Sequence, residues 1–145
     1  MQIREAEKGD LSALLTLYLH LHETRVPDMD ARVMGVWESI MRDKNHHLIV
    51  CVEEGKIVSS CVCVVVPNLT RNARPYALIE NVVTHPDFRR KGLASACLAR
   101  AAEIAKEKNC YKIMLLTGAK DVSTLDFYRK AGFNSSDKTA FIQWL

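Results

Sequence analysis

Residues 84–95 read THPDFRRKGLAS and place three consecutive cations directly before a glycine. The residues that follow are small and apolar, which indicates that a helix begins near Gly92. The first N–H groups of a helix have no intrahelical acceptor, and its dipole adds about half a positive charge at the same end. Because Gly92 has no Cβ, a ligand can approach the backbone closely there. The pattern predicts an anion site suited to pyrophosphate, and a merely solvated basic turn remains the alternative.

Other phosphate-binding and nucleic-acid-binding patterns are missing from the chain. It contains neither a GxxxxGK[ST] loop nor a GxGxxG motif after a strand, which argues against a nucleotide triphosphatase and a dinucleotide-binding protein. The net charge is only +3, and no aromatic residues alternate with the short basic patch. We therefore expect no nucleic-acid partner.

Composition and cysteine usage favour an ordinary cytoplasmic protein. The chain has 145 residues, of which 48% are hydrophobic, and this predicts one globular domain over 1–145. The first ten residues have no apolar signal core, and no run reaches the roughly 18 apolar residues of a membrane span, so we expect no membrane partner. The five cysteines show no CxxC spacing and predict reduced core thiols rather than a metal site.

Hydrophobic periodicity places the predicted helix within an α/β pattern. The predicted strands are QIREA, the two runs of residues 47–66 around the Glu54-Gly55 turn, 76–85, 112–117 and the closing segment TAFIQWL at 139–145. The predicted helices are 10–22, 30–43, 93–106 and 123–131, the last ended by Gly132. This order favours a central sheet with helices on both faces.

The segment ENVVTHPDFRRKGLA, residues 80–94, resembles the acyl-CoA-binding signature of the GNAT superfamily of acetyl-CoA-dependent N-acyltransferases. That signature is [QR]-x-x-G-x-[GA], here at 89–94, and FYRKAGF at 127–133 resembles a later motif of the same superfamily. The predicted order of elements is also that of the family. The resemblance implies the GNAT fold, an α/β (α+β) fold whose mixed central β-sheet is splayed between the fourth and fifth strands and flanked by helices on both faces.

The resemblance also implies acetyl-CoA as co-substrate and no metal. The pantetheine arm would enter the gap between the strands at 78–84 and 111–116, and the pyrophosphate would lie on the N–H groups of about 90–95. Asp121 stands where many family members have asparagine, and it accepts hydrogen bonds without donating them. The cofactor-binding residues implied are Val82, Val83, Thr84, Arg89, Arg90, Lys91, Gly92, Leu93, Ala94, Ser95 and Asp121.

Two catalytic residues are implied in the same way. Tyr128 matches the tyrosine that protonates the departing thiolate, with a packed core aromatic as the alternative. Glu80 is the candidate general base, with an ordinary solvated carboxylate as the alternative. An N–H near Val83 would bond the thioester oxygen. In a regular strand Asn81 would point to the face opposite Glu80, and His85 is expected to have a role in the loop.

The activity implied is transfer of the acetyl group of acetyl-CoA to a primary amine by direct attack. We expect a small polar amine as acceptor, either a small molecule or a peptide. The 67–75 loop is expected to line part of the acceptor site. Arg71 or Arg74 could hold a phosphate there. The alternative is a non-catalytic acyl-CoA-binding sensor or interaction module, but the presence of both Glu80 and Tyr128 favours the enzyme. Members of the family often pair through late strands, so a homodimer is expected.

Overall fold

The computed structural model describes all 145 residues and contains one five-stranded mixed sheet in the order β1-β2-β3-β4-β5. The strands are β1 (Gln2–Glu5), β2 (His46–Glu53), β3 (Lys56–Val66), β4 (Tyr76–Thr84) and β5 (Ile113–Leu115). The helices are α1 (Leu11–Leu17), α2 (Ala31–Arg42), α3 (Leu93–Glu107) and α4 (Val122–Lys130). Short 3-10 turns lie at Lys8–Asp10, Tyr18–His20 and Pro86–Phe88, and a short helical turn lies at Thr70–Ala73.

Two apolar clusters cover the two faces of the sheet. On one face, α3 inserts Cys97, Ala101 and Ile104 against apolar residues of β2, β3 and β4, of which Ile49 and Ile79 are fully buried. On the other face, α1 and α2 cover part of the sheet. The residues of this second cluster are Ala6, Leu14, Trp37, Leu48, Val50 and Val62. The prediction of helices on both faces is confirmed.

The β2–β3 hairpin follows from local turn chemistry. Glu54 and Gly55 have φ values of 49° and 75°, the left-handed pair that a two-residue turn between twisted strands requires. The hairpin was predicted from this dipeptide, and the pairing of Glu53 with Lys56 confirms it.

The splay of the sheet lies where the family resemblance implied it. Strand β5 runs parallel to β4 and pairs only through Ala77, Leu78 and Ile79. Strand β4 continues for five residues beyond Ile79, to Thr84, without a partner on that side. The expectation of a mixed sheet splayed between the fourth and fifth strands is therefore confirmed.

Three boundaries differ from the predictions. The predicted closing strand at 139–145 is wrong, because residues 131–145 form no helix or strand and Phe141 and Trp144 are 90% and 86% exposed. An alternating pattern needs a neighbouring strand to pair with, and this chain places none beside it. The first predicted helix ends early, at Leu17, and continues only as a 3-10 turn to His20. Strand β5 is half the predicted length because β4 turns away from it.

The four cysteines of β2, β3 and α3 are buried, Cys110 is half-buried, and all five are free thiols, as predicted. Burial raises the pKa of Cys63 to about 11 and that of Cys97 to about 12, which keeps these thiols protonated. No helix is both long and apolar enough to cross a membrane.

Candidate active site

A β-bulge in β4 sets the geometry of the site. Val83 pairs with Ser60 and Glu80 pairs with Val62, so three steps along β4 oppose two steps along β3. The extra residue is Asn81, whose φ of 52° is left-handed, a conformation that asparagine tolerates better than most residues.

The bulge changes which side chains share a face. In a regular strand Glu80 and Val82 would lie on one face and Asn81 on the other. Here Glu80 and Asn81 are both exposed, while Val82 packs against the cluster under α3. Glu80 lies on the opposite face, because its cross-strand partner Val62 belongs to the cluster under α1 and α2. The strand is therefore not regular, and Glu80 and Val82 approach the gap from opposite faces of the sheet.

Beyond the bulge, β4 has one open backbone edge. The N–H of His85 donates to Val58 O at 2.8 Å, so His85 and Val83 direct their backbone groups toward β3. Val82 and Thr84 alternate with them and direct theirs toward the gap that β5 leaves. An N–H group near Val83 was expected to bond the thioester oxygen. The group that faces the gap is the N–H of Val82, since that of Val83 points toward β3.

A buried serine fixes this edge. Ser59 Oγ donates to Val83 O at 2.9 Å and lies 2.7 Å from Thr84 Oγ1. Ser59 is fully buried, so the two contacts satisfy a hydroxyl that would otherwise be costly to bury. Sequence reasoning missed this residue, although the pair Ser59-Ser60 inside an apolar strand was a signal for it.

The N-terminus of α3 is open. The first intrahelical bond runs from Ala96 N–H to Gly92 O at 3.0 Å, and no side chain caps the helix. The N–H groups of 93–95 are thus without an intrahelical acceptor. By contrast, Asp30 caps α2 and Asp121 caps α4. The helix that the sequence singled out as an anion site keeps its donors available.

The turn before α3 is held in an uncommon conformation. Gly92 has a φ of 77° and Arg90 a φ of 59°, both left-handed. This conformation costs a residue with a Cβ about 1–2 kcal/mol, which makes it a feature that the surrounding structure must enforce. Turns that combine such residues direct neighbouring N–H groups into one concave surface, which favours anions.

The three cations of this turn have different surroundings. The Arg89 Nε donates to Thr84 O at 3.2 Å, so this guanidinium lies across the open edge of β4. The Lys91 Nζ lies 4.8 Å from the centre of the Phe88 ring. None of the three forms a salt bridge with an acidic residue. Their charge therefore remains available to an anionic ligand.

A cavity of about 370 Å³ joins the open edge of β4 to the N-terminus of α3. Most of the predicted site residues line it: Val82, Val83, Thr84, Arg89, Arg90, Gly92, Leu93, Ala94, Ser95 and Tyr128. Lys91, Asp121 and Glu80 do not line it. The residues present fit an acyl-CoA, since backbone donors and unpaired cations lie at one end and an extended, unpaired strand edge runs along one wall.

Five further residues line the cavity without having been predicted as site residues: His20, Phe88, Ser123, Thr124 and Phe127. His20 is the only one from the amino-terminal half of the chain, and its ring lies 4.7 Å from that of His85 in an edge-to-face arrangement. Its place follows from the 3-10 turn after α1, which helical periodicity alone does not reveal.

Tyr128 lies on the cavity wall formed by α4. Its ring packs 4.9 Å from that of Phe127 and 6.4 Å from that of Phe133, both measured between ring centres. Burial of the side chain is the main cause that raises the pKa of Tyr128 above its ordinary value. The phenol is therefore protonated at neutral pH and can donate a proton into the cavity.

Asp121 has a structural role in this structure. Its carboxylate accepts a hydrogen bond from Thr124 N–H at 2.9 Å as the cap of α4, and this bond holds its pKa below the usual range. The cap orients α4, which carries Tyr128. A direct role of Asp121 in binding the cofactor stays a prediction.

Comparison with known proteins identifies a family. The sequence model of the Acetyltransferase (GNAT) family matches residues 11–133. A glucosamine 6-phosphate N-acetyltransferase of Trypanosoma brucei brucei is 32% identical over 139 residues, which cover 95% of this chain and 92% of that protein.

Two solved structures agree with that match. A putative acetyltransferase from Agrobacterium tumefaciens str. C58 has a TM-score of 0.91 at 36% identity, covering 99% of this chain and 100% of that one. A glucosamine-6-phosphate N-acetyltransferase from Arabidopsis thaliana has a TM-score of 0.82 at 26% identity, with 99% and 97% coverage.

Proposed function

Because this chain belongs to the acetyltransferase (GNAT) family and is an acyltransferase, we propose that it moves the acetyl group of acetyl-CoA to the primary amine of a small polar acceptor. One observation carries the proposal. The bulged strand β4 opens its backbone into a cavity that ends at the uncapped N-terminus of α3 and also holds Tyr128.

Binding would rest on the backbone more than on side chains. Acetyl-CoA supplies an activated acetyl thioester, and its diphosphate fits the free N–H groups of 93–95 beside Arg89 and Arg90. The open backbone groups of Val82 and the N–H of Thr84 can pair with an extended amide-containing arm as a neighbouring strand would, whereas Thr84 O already accepts from Arg89. The Asp121 carboxylate adds a negative charge near α4 but is already occupied as a cap.

The chemistry requires a neutral amine, a polarised carbonyl and a proton for the leaving sulfur. The Val82 N–H faces the gap and would donate to the carbonyl oxygen as negative charge develops there. Glu80 is the first residue beyond the β4–β5 pairing and lies on the face that α3 leaves free, where it can take a proton from the amine, directly or through water. Tyr128 would donate its proton to the sulfur from the other face.

The direct test measures free CoA released from acetyl-CoA in the presence of a panel of small amines. Glucosamine 6-phosphate is the first acceptor to try, because two of the similar proteins are named for it. The proposal expects amine-dependent release of CoA together with the N-acetylated product. Tight binding of acetyl-CoA with no release by any amine would instead support a sensor.

Tyr128→Phe is expected to lower kcat by about tenfold or more, since it removes the acid but keeps the ring in place. The pKa of Tyr128 is raised, so the acid form persists above the ordinary pKa of tyrosine and is lost only as pH rises through the higher value. The pH profile of kcat is the measurement. We expect the wild type to lose activity on that alkaline side, and the phenylalanine variant to lack this limb. An alkaline limb that survives the substitution would assign it to another group.

We also propose that two copies of the chain pair through the segment 139–145. Its apolar side chains are exposed, with Phe141 at 90% and Trp144 at 86%, and β5 is a sheet edge with one unpaired side. Removing 139–145 is expected to convert a dimer into a monomer in analytical ultracentrifugation. A full-length chain that sediments as a monomer at micromolar concentration would contradict this proposal.

A further inference from the structure

Ser59 places a hydroxyl inside a strand that is otherwise mostly apolar. Strand β3 reads KIVSSCVCVVV, and Ser59 within it is fully buried. Its side chain lies on the face covered by α3, because its partner across β2 is Cys51, which belongs to the cluster under that helix. A buried hydroxyl is costly unless it is hydrogen-bonded. None of the binding and catalytic steps proposed above uses this residue directly.

The single hydroxyl proton of Ser59 decides the direction of its hydrogen bonds. Ser59 Oγ donates that proton to Val83 O at 2.9 Å. The Thr84 Oγ1, which lies 2.7 Å from Ser59 Oγ, is therefore the donor in the second contact. The two bonds form a chain from the Thr84 hydroxyl through Ser59 to the Val83 carbonyl, and bonds in such a chain strengthen one another.

This chain orients the peptide group between Val83 and Thr84. All peptide bonds are trans, so the N–H of each peptide group points opposite to its C=O. Because Val83 O is held toward β3, the Thr84 N–H points into the gap that β5 leaves. The Thr84 O also points into the gap, where it accepts from Arg89 Nε at 3.2 Å. The Thr84 N–H is thus the group at this position that a ligand can use.

The strand ladder by itself gives this peptide group little support. Between the bulge and the end of β4, the two strands pair only at Ser60 with Val83 and at Ser59 with Thr84. The extra residue Asn81 interrupts the ladder directly before these pairs. Short stretches of pairing at the end of an element open more readily than the middle of a sheet. The two side-chain bonds of Ser59 therefore supplement a weak part of the ladder.

Helix α3 closes the remaining side of Ser59. Burial raises the pKa of Cys97 in α3 to about 12, and the neighbouring Ser59 hydroxyl offsets part of that rise. Both side chains are fully buried, so water has no access to replace the hydroxyl. Ser59 thus lies at the contact between the strand edge proposed to bind the thioester arm and the helix proposed to bind the diphosphate.

We propose that Ser59 is a positioning residue for acetyl-CoA, which directs the Thr84 N–H toward an amide carbonyl of the pantetheine arm. Ser59 does not line the cavity and touches neither the cofactor nor the amine, so it acts through Thr84. The inference rests on the proposed function. It adds a residue behind the cavity wall that determines how well the arm fits.

Ser59→Ala removes the hydroxyl and is expected to weaken acetyl-CoA binding by about fivefold to tenfold, the value of one misdirected neutral hydrogen bond. Calorimetry compares acetyl-CoA with 3′-phosphoadenosine 5′-diphosphate, the nucleotide half of the cofactor without the arm. The affinity for this nucleotide should change less than twofold. In steady state the loss should appear in the KM for acetyl-CoA, while kcat changes less than threefold because Glu80 and Tyr128 are untouched.

Ser60→Ala is the matched control, since it removes the same atom from the next residue, which is equally buried. The Ser60 Oγ forms no hydrogen bond within ordinary limits of distance and angle, although it lies close enough to the Tyr18 phenol to offset part of the rise in pKa that burial causes there. This variant should keep both affinities within twofold of the wild type. Ser59→Cys retains a weak donor of similar size and should bind acetyl-CoA with intermediate affinity.

Two outcomes would overturn the inference. One is a Ser59→Ala protein that binds acetyl-CoA as the wild type does, and the other is an equal loss of affinity for acetyl-CoA and for the nucleotide, which a merely structural role predicts. If Ser59→Ala does not fold in thermal unfolding experiments, the same comparison with Ser59→Cys decides. Both affinities are measured without an amine, so absence of transfer to any amine would overturn the proposed function and leave the role of Ser59 decided by binding.

Discussion

Glu80→Gln is expected to lower kcat by about a hundredfold or more at neutral pH, while the affinity for acetyl-CoA stays unchanged. The amide has nearly the same shape as the carboxylate but cannot accept a proton from the attacking amine. General bases of this kind contribute roughly 10²–10⁴-fold to rate. Glu80 is exposed and does not line the cofactor cavity, so neither folding nor cofactor capture should depend on its charge.

The measurement is steady-state release of CoA with saturating amine, together with calorimetric titration of acetyl-CoA. Glu38→Gln is a matched control, because it makes the same chemical change at an exposed glutamate of α2 whose ion pair with Arg42 is solvent-exposed. That control should keep full activity. If Glu80→Gln retained kcat within twofold of the wild type, Glu80 would not be the base, and proton transfer to bulk water would be the simpler account.

Gly92→Ala is expected to weaken acetyl-CoA binding by at least tenfold. Gly92 has a φ of 77°, so an alanine there either retains a strained conformation or relaxes the turn and moves the N–H groups of α3. Apart from its chain neighbours, no protein atom lies within 4 Å of an added Cβ, so the methyl group would project into open space where we expect the ligand. The altered turn and the added methyl group should both weaken cofactor binding, and neither should disturb the packing of the core.

Gly55→Ala separates cofactor binding from backbone strain. Gly55 has nearly the same φ, 75°, and also has no atom within 4 Å of an added Cβ, but it lies in the β2–β3 hairpin. Thermal unfolding should show a similar loss of stability, about 1–2 kcal/mol, in both variants. Only Gly92→Ala should lose affinity for acetyl-CoA. Equal affinities in the two variants would mean that this turn does not hold the cofactor.

The GNAT resemblance drawn from the sequence is confirmed, as are the splayed sheet and the hairpin. The splay was implied by the family resemblance, whereas the hairpin and the start of α3 follow from short-range signals. Glu54-Gly55 specifies a tight turn by itself, and the run of small and apolar residues after Gly92 indicates a helix start. A turn or helix start that is specified by neighbouring residues is retained in the folded protein, because it agrees with the fold and few distant contacts oppose it.

The features that sequence reasoning missed depend on distant contacts. Asn81 forms a bulge because β4 has one residue more than β3 between two paired positions. No residue of LIENVV indicates this extra position in the sequence. Lys112 meets Tyr76 only because β5 pairs with β4 over three residues. The alternation in 139–145 resembles a strand, but a strand forms only where another lies beside it. Periodicity reports which face is apolar and does not report which partner is present.

The diphosphate of the cofactor is expected to bind the N–H groups at the start of α3, and one titration tests this most directly. Isothermal calorimetry compares acetyl-CoA with S-acetylpantetheine, which keeps the thioester arm but lacks the diphosphate and the nucleoside. We expect acetyl-CoA to bind at micromolar concentrations and S-acetylpantetheine to bind at least a hundredfold more weakly. Equal affinities for the two compounds, or no heat with acetyl-CoA, would contradict the account.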